Sequence, residues 1–417
     1  MLQRSIMGAA MGAAMGAAFL VMAAAGVLAD DPPAAVQQPA ADKLLLVHYM
    51  PWYQTPSVRG QWGGHWKGFD SPHDPGRTDA QGLPDIWSHF HPLIGPYDST
   101  DPALVECHLG WMKLAGIDGV IVDWYGVAEA LDYPAIHRGT EAMFGGVGGF
   151  GLQFAACYED RVVEMMIARG SLAADGGEGR LREDIAWLSE HWFATPQYVK
   201  IDERPLLLNF GPIRMKDASA WNAAFEGLPA RPAFFALHHL WRNAGADGGF
   251  TWIHWEPWKG EADDATVAER LRRVCEIPSS DPKQVIVSAF PGYQDVYRET
   301  RPVLEHRGGK TLRQSLAAAL DSRAGIVQLV TWNDYGEGTM IEPTHEHGYT
   351  FLEIVQDAAR ERRGGSFPYT SADLRLPQRL YEARKAGRAP PAKLDLIGAA
   401  IRRGDCEAAA AALDKLP

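Results

Sequence analysis

The sequence is poor in the features that mark several common classes of protein. No Walker-type, glycine-rich phosphate loop is present. Basic residues are fewer than acidic ones, 40 against 52, and the net charge of −12 argues against a nucleic-acid or anionic-membrane partner. Its few cysteines show no C-x-x-C spacing, which excludes the common zinc and redox motifs. They are Cys107, Cys157, Cys275 and Cys406.

Long hydrophobic runs are also missing, apart from one at the N-terminus. Arg4 precedes an Ala-, Gly- and Met-rich stretch, and Val27 and Ala29 provide the small residues of a cleavage site. We interpret residues 1–29 as an export signal and residues 30–43 as a linker, with a retained anchor as the alternative. No other run approaches the roughly 18 apolar residues that span a bilayer. The sequence therefore predicts an exported protein, periplasmic or extracellular, without a membrane span in its mature part.

Aromatic residues, in contrast, are plentiful: the chain has 14 Trp, 13 Tyr and 15 Phe. Aromatic faces suit sugar rings, and the acidic balance fits a neutral ligand better than an anionic one. The length that remains after the signal is typical of a (β/α)8 barrel with insertions and a small appendage. A carbohydrate is the partner that this composition favours.

Eight short apolar runs alternate with helical stretches along the chain. The runs are residues 44–49, 119–123, 152–157, 205–210, 233–237, 251–255, 285–290 and 326–331. This alternation predicts right-handed crossovers onto one parallel sheet, closed into a (β/α)8 TIM barrel over residues 44–362. The loops after the first two strands are long. Residues 363–417 are predicted to form a small C-terminal helical extension, and Cys157, inside the third run, fits an inert buried thiol.

Polar residues that close a barrel strand at its carboxyl end are the expected catalytic residues. Several acids, histidines and aromatics would meet there, which favours a carbohydrate site. The residues collected by this rule are His48, Tyr49, Asp123, Trp124, Tyr158, Glu159, Asn209, His238, His239, Glu256, Tyr293, Asp295, Asp334 and Glu337.

Two carboxylates follow the last strand three positions apart, Asp334 and Glu337. Glycosidic cleavage usually needs one carboxylic acid for the leaving oxygen and a second carboxylate as base or nucleophile. Unequal burial would separate their pKa values, the more desolvated one staying protonated near neutral pH. We predict this pair to be catalytic. The alternative is structural, with Asp334 capping the loop and Glu337 forming a surface ion pair.

Further residues are predicted to bind substrate. Some are aromatics that can form a stacking platform, and others are polar groups that can hydrogen-bond sugar hydroxyls. They are Tyr49, Trp52, Tyr53, Asp123, Trp124, His238, Glu256, Trp332, Asn333 and Tyr335.

Four segments together resemble the glycoside hydrolase family 71 and family 99 group. They are 46–53 (LVHYMPWY), 92–102 (PLIGPYDSTDP), 115–125 (AGIDGVIVDWY) and 331–343 (TWNDYGEGTMIEP). The resemblance implies a (β/α)8 barrel without cofactor or catalytic metal, acting as an endo-α-mannosidase or an α-1,3-glucanase. It implies that Asp334 assists at the sugar 2-hydroxyl and that Glu337 is the acid/base. Family 99 resembles N-E-W-H-E-G at this motif, from which the chain departs at Asp334, Tyr335 and Gly336.

The sequence leaves two other functions open. A metal-dependent barrel hydrolase would use the pairs His89 and His91 or His345 and His347, although zinc usually needs three or more convergent ligands. A catalytically inactive carbohydrate-binding or surface-assembly protein would keep the barrel and lose turnover. The sequence does not determine the oligomeric state.

Overall fold

Eight short strands, each parallel to both of its neighbours, close into a barrel in this computed structural model. The structure describes residues 43–69, 73–260, 262–276, 279, 281–297 and 302–417. The predicted export signal and nearly all of the predicted linker lie outside these residues. The strands are β1 (Leu44–Tyr49), β2 (Gly119–Trp124), β3 (Gln153–Tyr158), β4 (Arg204–Asn209), β5 (Ala233–Leu237), β6 (Gly248–Phe250), β7 (Val285–Ala289) and β8 (Ile326–Leu329).

The hydrogen-bonded order runs from β1 to β8 and back to β1. Leu46 of β1 lies opposite Gly119 of β2 and opposite Gln328 of β8, so the first strand joins the last. A two-residue strand, Lys200–Ile201, pairs antiparallel with β4 outside the barrel. The predicted (β/α)8 barrel is confirmed.

One predicted strand was wrong. The sixth strand is Gly248–Phe250, whereas residues 251–255 form the loop that follows it. A Cβ on Gly248 would lie 2.4 Å from the Phe235 ring and 2.6 Å from the Gln284 carbonyl oxygen. Only glycine fits this close approach, and a glycine-rich strand lacks the apolar run that marks the other strands.

Side chains alternate between the barrel interior and the surrounding helices. Leu46 packs inside with Ile121 and Cys157, while Leu45 and Val47 belong to the apolar layer between barrel and helices. His48 follows Leu46 by two positions and so points inward, whereas Tyr49 points outward. This alternation decides which strand-end residues reach the barrel mouth.

Thirteen helices are described, most of them on the outside of the barrel. They are α1 (Pro56–Arg59), α2 (Gly64–Lys67), α3 (Pro102–Ala115), α4 (Tyr133–Phe150), α5 (Arg161–Ala168), α6 (Gly177–His191), α7 (Ala218–Phe225), α8 (Asp264–Val274), α9 (Lys310–Asp321), α10 (Thr350–Arg363), α11 (Leu376–Lys385), α12 (Pro391–Arg403) and α13 (Cys406–Leu413). None of these described helices has both the length and the apolar composition that a membrane span requires.

Local signals set the ends of α3. The Asp101 carboxylate accepts a hydrogen bond from the Ala103 N–H, and Pro102 occupies the first turn, where its missing N–H costs nothing. Gly116 ends the helix with φ of 79°, a left-handed conformation that suits glycine.

The helices α11 and α12 pack on α3, and α13 packs on α11 and α12. The Trp111 indole donates a hydrogen bond to the Leu374 carbonyl oxygen at 2.7 Å. Glu106 of α3 binds Arg384 of α11 and Arg402 of α12, each at 2.7 Å. The last helices are therefore joined to the barrel by an aromatic anchor and a half-buried ion-pair network.

Candidate active site

A cavity of about 360 Å³ opens at the carboxyl ends of the barrel strands. Seven of the residues that were predicted to lie at strand ends or to bind substrate contribute to its wall: His48, Trp52, Asp123, Glu159, Tyr293, Asp334 and Glu337. The other residues that line it are Met50, His65, Tyr125, Arg161, Phe210, Trp252, Trp255 and Tyr297. The structure thus brings the predicted carboxylate pair together with two more carboxylates and many aromatic rings.

A tight loop after β8 holds the predicted catalytic pair. The Asp334 N–H donates to the Thr331 hydroxyl at 2.8 Å, and Asp334 Oδ1 accepts from the Glu337 N–H at 2.9 Å. Thr331 and Thr339 bridge the base of the loop through their backbones at 2.9 Å. Each carboxylate is therefore carried by a hydrogen-bonded turn and not by a free loop tip.

Three predicted substrate-binding residues instead support this loop from below. Asn333 Oδ1 accepts from the Met50 N–H, and its amide donates to the Met50 carbonyl oxygen. The Tyr53 hydroxyl donates to the Asn333 carbonyl oxygen at 2.7 Å and accepts from the Tyr335 N–H. Asn333, Tyr53 and Tyr335 are buried and connect the exit of β1 to the loop that carries Asp334 and Glu337.

Tyr49 and Trp332 lie behind the cavity, against α3. The Tyr49 hydroxyl is 3.2 Å from His108 Nδ1, and the Trp332 ring packs edge-on against the same histidine. Glu342 braces the group by contacting His108 Nε2 at 3.2 Å and accepting from the Tyr97 hydroxyl at 2.7 Å. These residues form an aromatic and polar layer between the barrel and α3.

Trp124 is also outside the cavity, because neighbouring residues of a strand face opposite sides. Asp123 points into the barrel, whereas the Trp124 indole donates to His137 Nδ1 at 3.1 Å and packs against Trp187 and Trp192. Both residues were predicted to bind substrate, whereas the structure places only Asp123 at the cavity.

His238 and Glu256 do not line the cavity either. His238 ends β5, and its N–H donates to the Phe250 carbonyl oxygen. Glu256 follows residues 251–255, which are not a strand, and its side chain is 64% exposed in an ion pair with Lys259 at 2.5 Å. That hydrogen bond holds the pKa of Glu256 below its ordinary value. Their predicted contact with substrate thus has no support from their positions.

Several cavity residues were not among the predicted substrate-binding residues. Trp252 lies two residues after the true end of β6, so the strand-end rule would have found it with the correct strand. His65 belongs to α2 in the long loop after β1 and stacks on Trp52 with ring centroids 4.1 Å apart. No local pattern marks His65, because only the folding of that loop brings it to the cavity.

Burial controls the electrostatics of the acidic cavity. It raises the pKa of Asp334 to about 7, although N–H groups of Glu337 and Gly336 oppose the shift. It also raises the pKa of Glu159 to about 7, against the positive charge of Arg161. The pKa of Asp123 is raised well above its ordinary value, first by burial and then by the charges of Glu159 and Asp334. The cavity can therefore hold and release protons near neutral pH.

Comparison with known proteins agrees with this architecture. The family model of glycosyl hydrolase family 99 matches residues 40–140. A human (Homo sapiens) glycoprotein endo-alpha-1,2-mannosidase-like protein is 26% identical over 342 residues, covering 74% of this chain and 70% of that protein. The rat (Rattus norvegicus) glycoprotein endo-alpha-1,2-mannosidase is 23% identical over 340 residues, covering 73% of this chain and 68% of that protein.

A solved structure has the same fold. The GH99 endo-alpha-mannosidase from Bacteroides thetaiotaomicron superposes with a TM-score of 0.57 at 19% identity, covering 77% of this chain and 98% of that one. At this identity the structural likeness supports the fold alone. The enzyme class is supported by the sequence relatives. The chain is therefore similar to the family 99 glycoside hydrolases, and its likeness to them supports a glycosidase.

Proposed function

We propose that this enzyme cleaves α-linked mannose glycans at internal bonds, with Asp334 and Glu337 as its catalytic carboxylates. The observation that carries the proposal is the position of both side chains in the wall of one cavity at the barrel mouth. Support for the sugar comes from the relatives, whose names describe endo-α-mannosidases.

The two carboxylates have different surroundings and therefore different proposed roles. Glu337 gives its proton to the departing glycosidic oxygen and later, as a carboxylate, takes a proton from the incoming water. Asp334, when ionised, accepts the proton of the sugar 2-hydroxyl as that oxygen bonds to the anomeric carbon in place of the departing oxygen. It returns the proton when water displaces the 2-oxygen from that carbon. Two N–H groups, those of Glu337 and Gly336, stabilise its charge and so favour this ionised state.

Aromatic side chains supply the surface for the sugar rings. Trp52, which stacks on His65, lines the cavity together with Trp252 and Trp255. Aromatic faces bury the apolar side of a sugar while hydroxyls reach the acids. An uncharged glycan fits a cavity in which four carboxylates would repel an anion.

A panel of α-linked mannans and glucans tests the proposal, with reducing ends and product anomer as readouts. We expect internal cleavage of an α-mannan and at least a 100-fold lower kcat in Glu337→Gln, since general acid–base catalysis contributes about 10² to 10⁴ in rate. Glu141→Gln, a half-exposed glutamate of α4, is the matched control and should keep full activity.

The outcome also decides between the rival functions. Cleavage of α-glucan alone would reject the mannose assignment, and binding without release of reducing ends would identify a carbohydrate-binding protein. Full activity in Glu337→Gln would remove Glu337 from the mechanism.

We also propose that the chain is exported, on the basis of its N-terminal sequence alone. Expression in a bacterial host with the native N-terminus should yield a mature chain that begins at Asp30 outside the cytoplasm, as read by N-terminal sequencing. An unprocessed chain in the cytoplasm would contradict this.

A further inference from the structure

Three side chains of the types that bind metal ions meet at the floor of the cavity. They are His48 on β1, Asp123 on β2 and Cys157 on β3. One ring nitrogen, one carboxylate oxygen and the sulfur all lie within 4.8 Å of one another. From the sequence these three residues were not named as metal ligands, and Cys157 was interpreted as an inert buried thiol, so the fold alone reveals this cluster.

Strand register explains why the three side chains meet. Asp123 and Cys157 are direct partners in the pairing of β2 with β3. His48 pairs with Ile121, two positions before Asp123, so that His48 and Asp123 share the inward face. The cluster is thus carried by three adjacent strands of a closed barrel, which are more rigid supports than loops.

Two of these side chains carry a buried polar atom that lacks a partner, which is a second and independent observation. Nδ1 of His48 and Oδ1 of Asp123 are buried and have no hydrogen-bond partner among the described residues. The side chains are 1% and 3% exposed, and Cys157 is fully buried. A buried polar atom without a partner is destabilising, so both atoms would gain from binding a ligand.

We propose that His48, Asp123 and Cys157 bind a divalent transition-metal ion of the zinc class. A set of imidazole, carboxylate and thiolate ligands suits Zn²⁺, whereas Mg²⁺ and Ca²⁺ prefer oxygen ligands alone. Three protein ligands leave one coordination position for water or a sugar hydroxyl. That position faces the cavity, because His48 and Asp123 line its wall. Binding requires the Cys157 thiolate, so the thiol proton is released to solvent.

The site differs from the histidine pairs that the sequence suggested. His91 Nδ1 is 2.7 Å from Glu346 Oε1, and His347 packs among aromatic rings away from the cavity. Neither of these histidines lines the cavity, whereas His48 and Asp123 do. The metal proposal rests on this geometry and is independent of the proposed sugar.

The test uses the full-length protein, reduced and stripped of metal, and titrates it with Co²⁺. We expect one Co²⁺ per chain and a near-ultraviolet thiolate-to-cobalt absorption band that Zn²⁺ removes by competition. Cys157→Ser should abolish the band and weaken binding at least about 100-fold, because even outer-shell partners contribute 10- to 100-fold. Cys275→Ser, which removes a buried thiol at the end of α8, should keep the band.

A second variant keeps the proposal testable if the Cys157→Ser protein does not fold. Asp123→Asn keeps the side-chain shape and should retain a weak band with at least about tenfold lower affinity. Absence of a band in the wild-type protein would overturn the proposal, as would a band that persists in Cys157→Ser or an affinity unchanged in Asp123→Asn. Because no sugar is present, failure here leaves the glycosidase assays unaffected.

Discussion

Asp334 is the residue whose protonation should govern the pH dependence of the enzyme. Burial raises its folded-state pKa to about 7, so the ionised form is lost as the pH falls below that value. If Asp334 acts as the base, kcat/KM should decrease roughly tenfold per pH unit below pH 7. The measurement is a pH profile of kcat/KM on the α-mannan that the panel identifies.

The opposite slope would assign the opposite role. A decrease of kcat/KM above pH 7, with a plateau below it, would show that Asp334 works in its protonated form. Asp334→Glu is the informative variant, since it lengthens the side chain by one methylene and keeps the carboxyl group. An unchanged profile in Asp334→Asn would exclude Asp334 from both roles.

Gly336, between the two acids, is required by a contact and not by its backbone conformation. A Cβ at this position would lie 2.1 Å from the Tyr297 hydroxyl and 2.3 Å from its ring. Gly336→Ala should displace Tyr297 from the cavity wall, cost about 1–3 kcal/mol of unfolding free energy and lower kcat as the acids shift. Urea unfolding and steady-state kinetics measure the two effects.

Gly145→Ala is the control for that substitution. Gly145 lies inside α4, and a Cβ added there would meet nothing within 4 Å, so alanine should stabilise the helix by up to about 1 kcal/mol. If Gly336→Ala and Gly145→Ala had the same effect on stability and kcat, the contact with Tyr297 would not be what excludes a side chain at position 336.

At the scale of elements, Asp160 ties the end of β3 to the loop after β4. Its buried carboxylate accepts hydrogen bonds from the N–H groups of Ile213, Arg214 and Met215, at 2.6 to 2.9 Å. The same turn carries Glu159 into the cavity. Asp160→Asn replaces an acceptor by an amide donor that faces these N–H groups, and should cost about 3 kcal/mol of unfolding free energy.

Chemical denaturation measures this cost. In Asp160→Asn the KM for the glycan should also rise, because the turn that holds Glu159 in the cavity is weakened. Asp175→Asn, in an exposed turn, is the control and should change stability by less than about 0.5 kcal/mol. A stability loss of the same size in both variants would contradict the proposed link between the two loops.

At the scale of the whole molecule, the C-terminal helices should unfold together with the barrel. Ile401 of α12 is 1% exposed and faces Gly110 of α3, where a Cβ would lie 3.5 Å from it. Ile401→Ala should cost about 2–5 kcal/mol and lower the temperature of a single unfolding transition. Calorimetry distinguishes this from a tail that melts alone.

Leu396 lies on the same helix but is 73% exposed, so Leu396→Ala should leave the transition within about 0.5 kcal/mol. Two transitions, with the upper one unmoved by Ile401→Ala, would show that residues 363–417, the predicted C-terminal helical extension, unfold independently of the barrel.

Local sequence was sufficient to predict a feature when all the residues that determine it lie in one element. The apolar runs of β1 and β5 were predicted with the bounds that the structure shows. Burial of apolar side chains and capping of helix ends depend on nearby residues, so they can be read without tertiary contacts. The same holds for the motif after β8, where Asp334 and Glu337 are three residues apart.

Only the tertiary structure decided which neighbour of each strand-end pair faces the cavity. Strands such as β2 are buried on both sides, so their sequences do not show which parity points inward. Closure of the barrel places His48 and Asp123 inside and turns Tyr49 and Trp124 toward the helices. It also brings in His65 and Tyr297 from distant loops and sets Cys157 beside His48 and Asp123. The sequence by itself predicted most of the elements and the candidate pair Asp334 and Glu337, whereas the composition of the site depends on long-range register that no local pattern records.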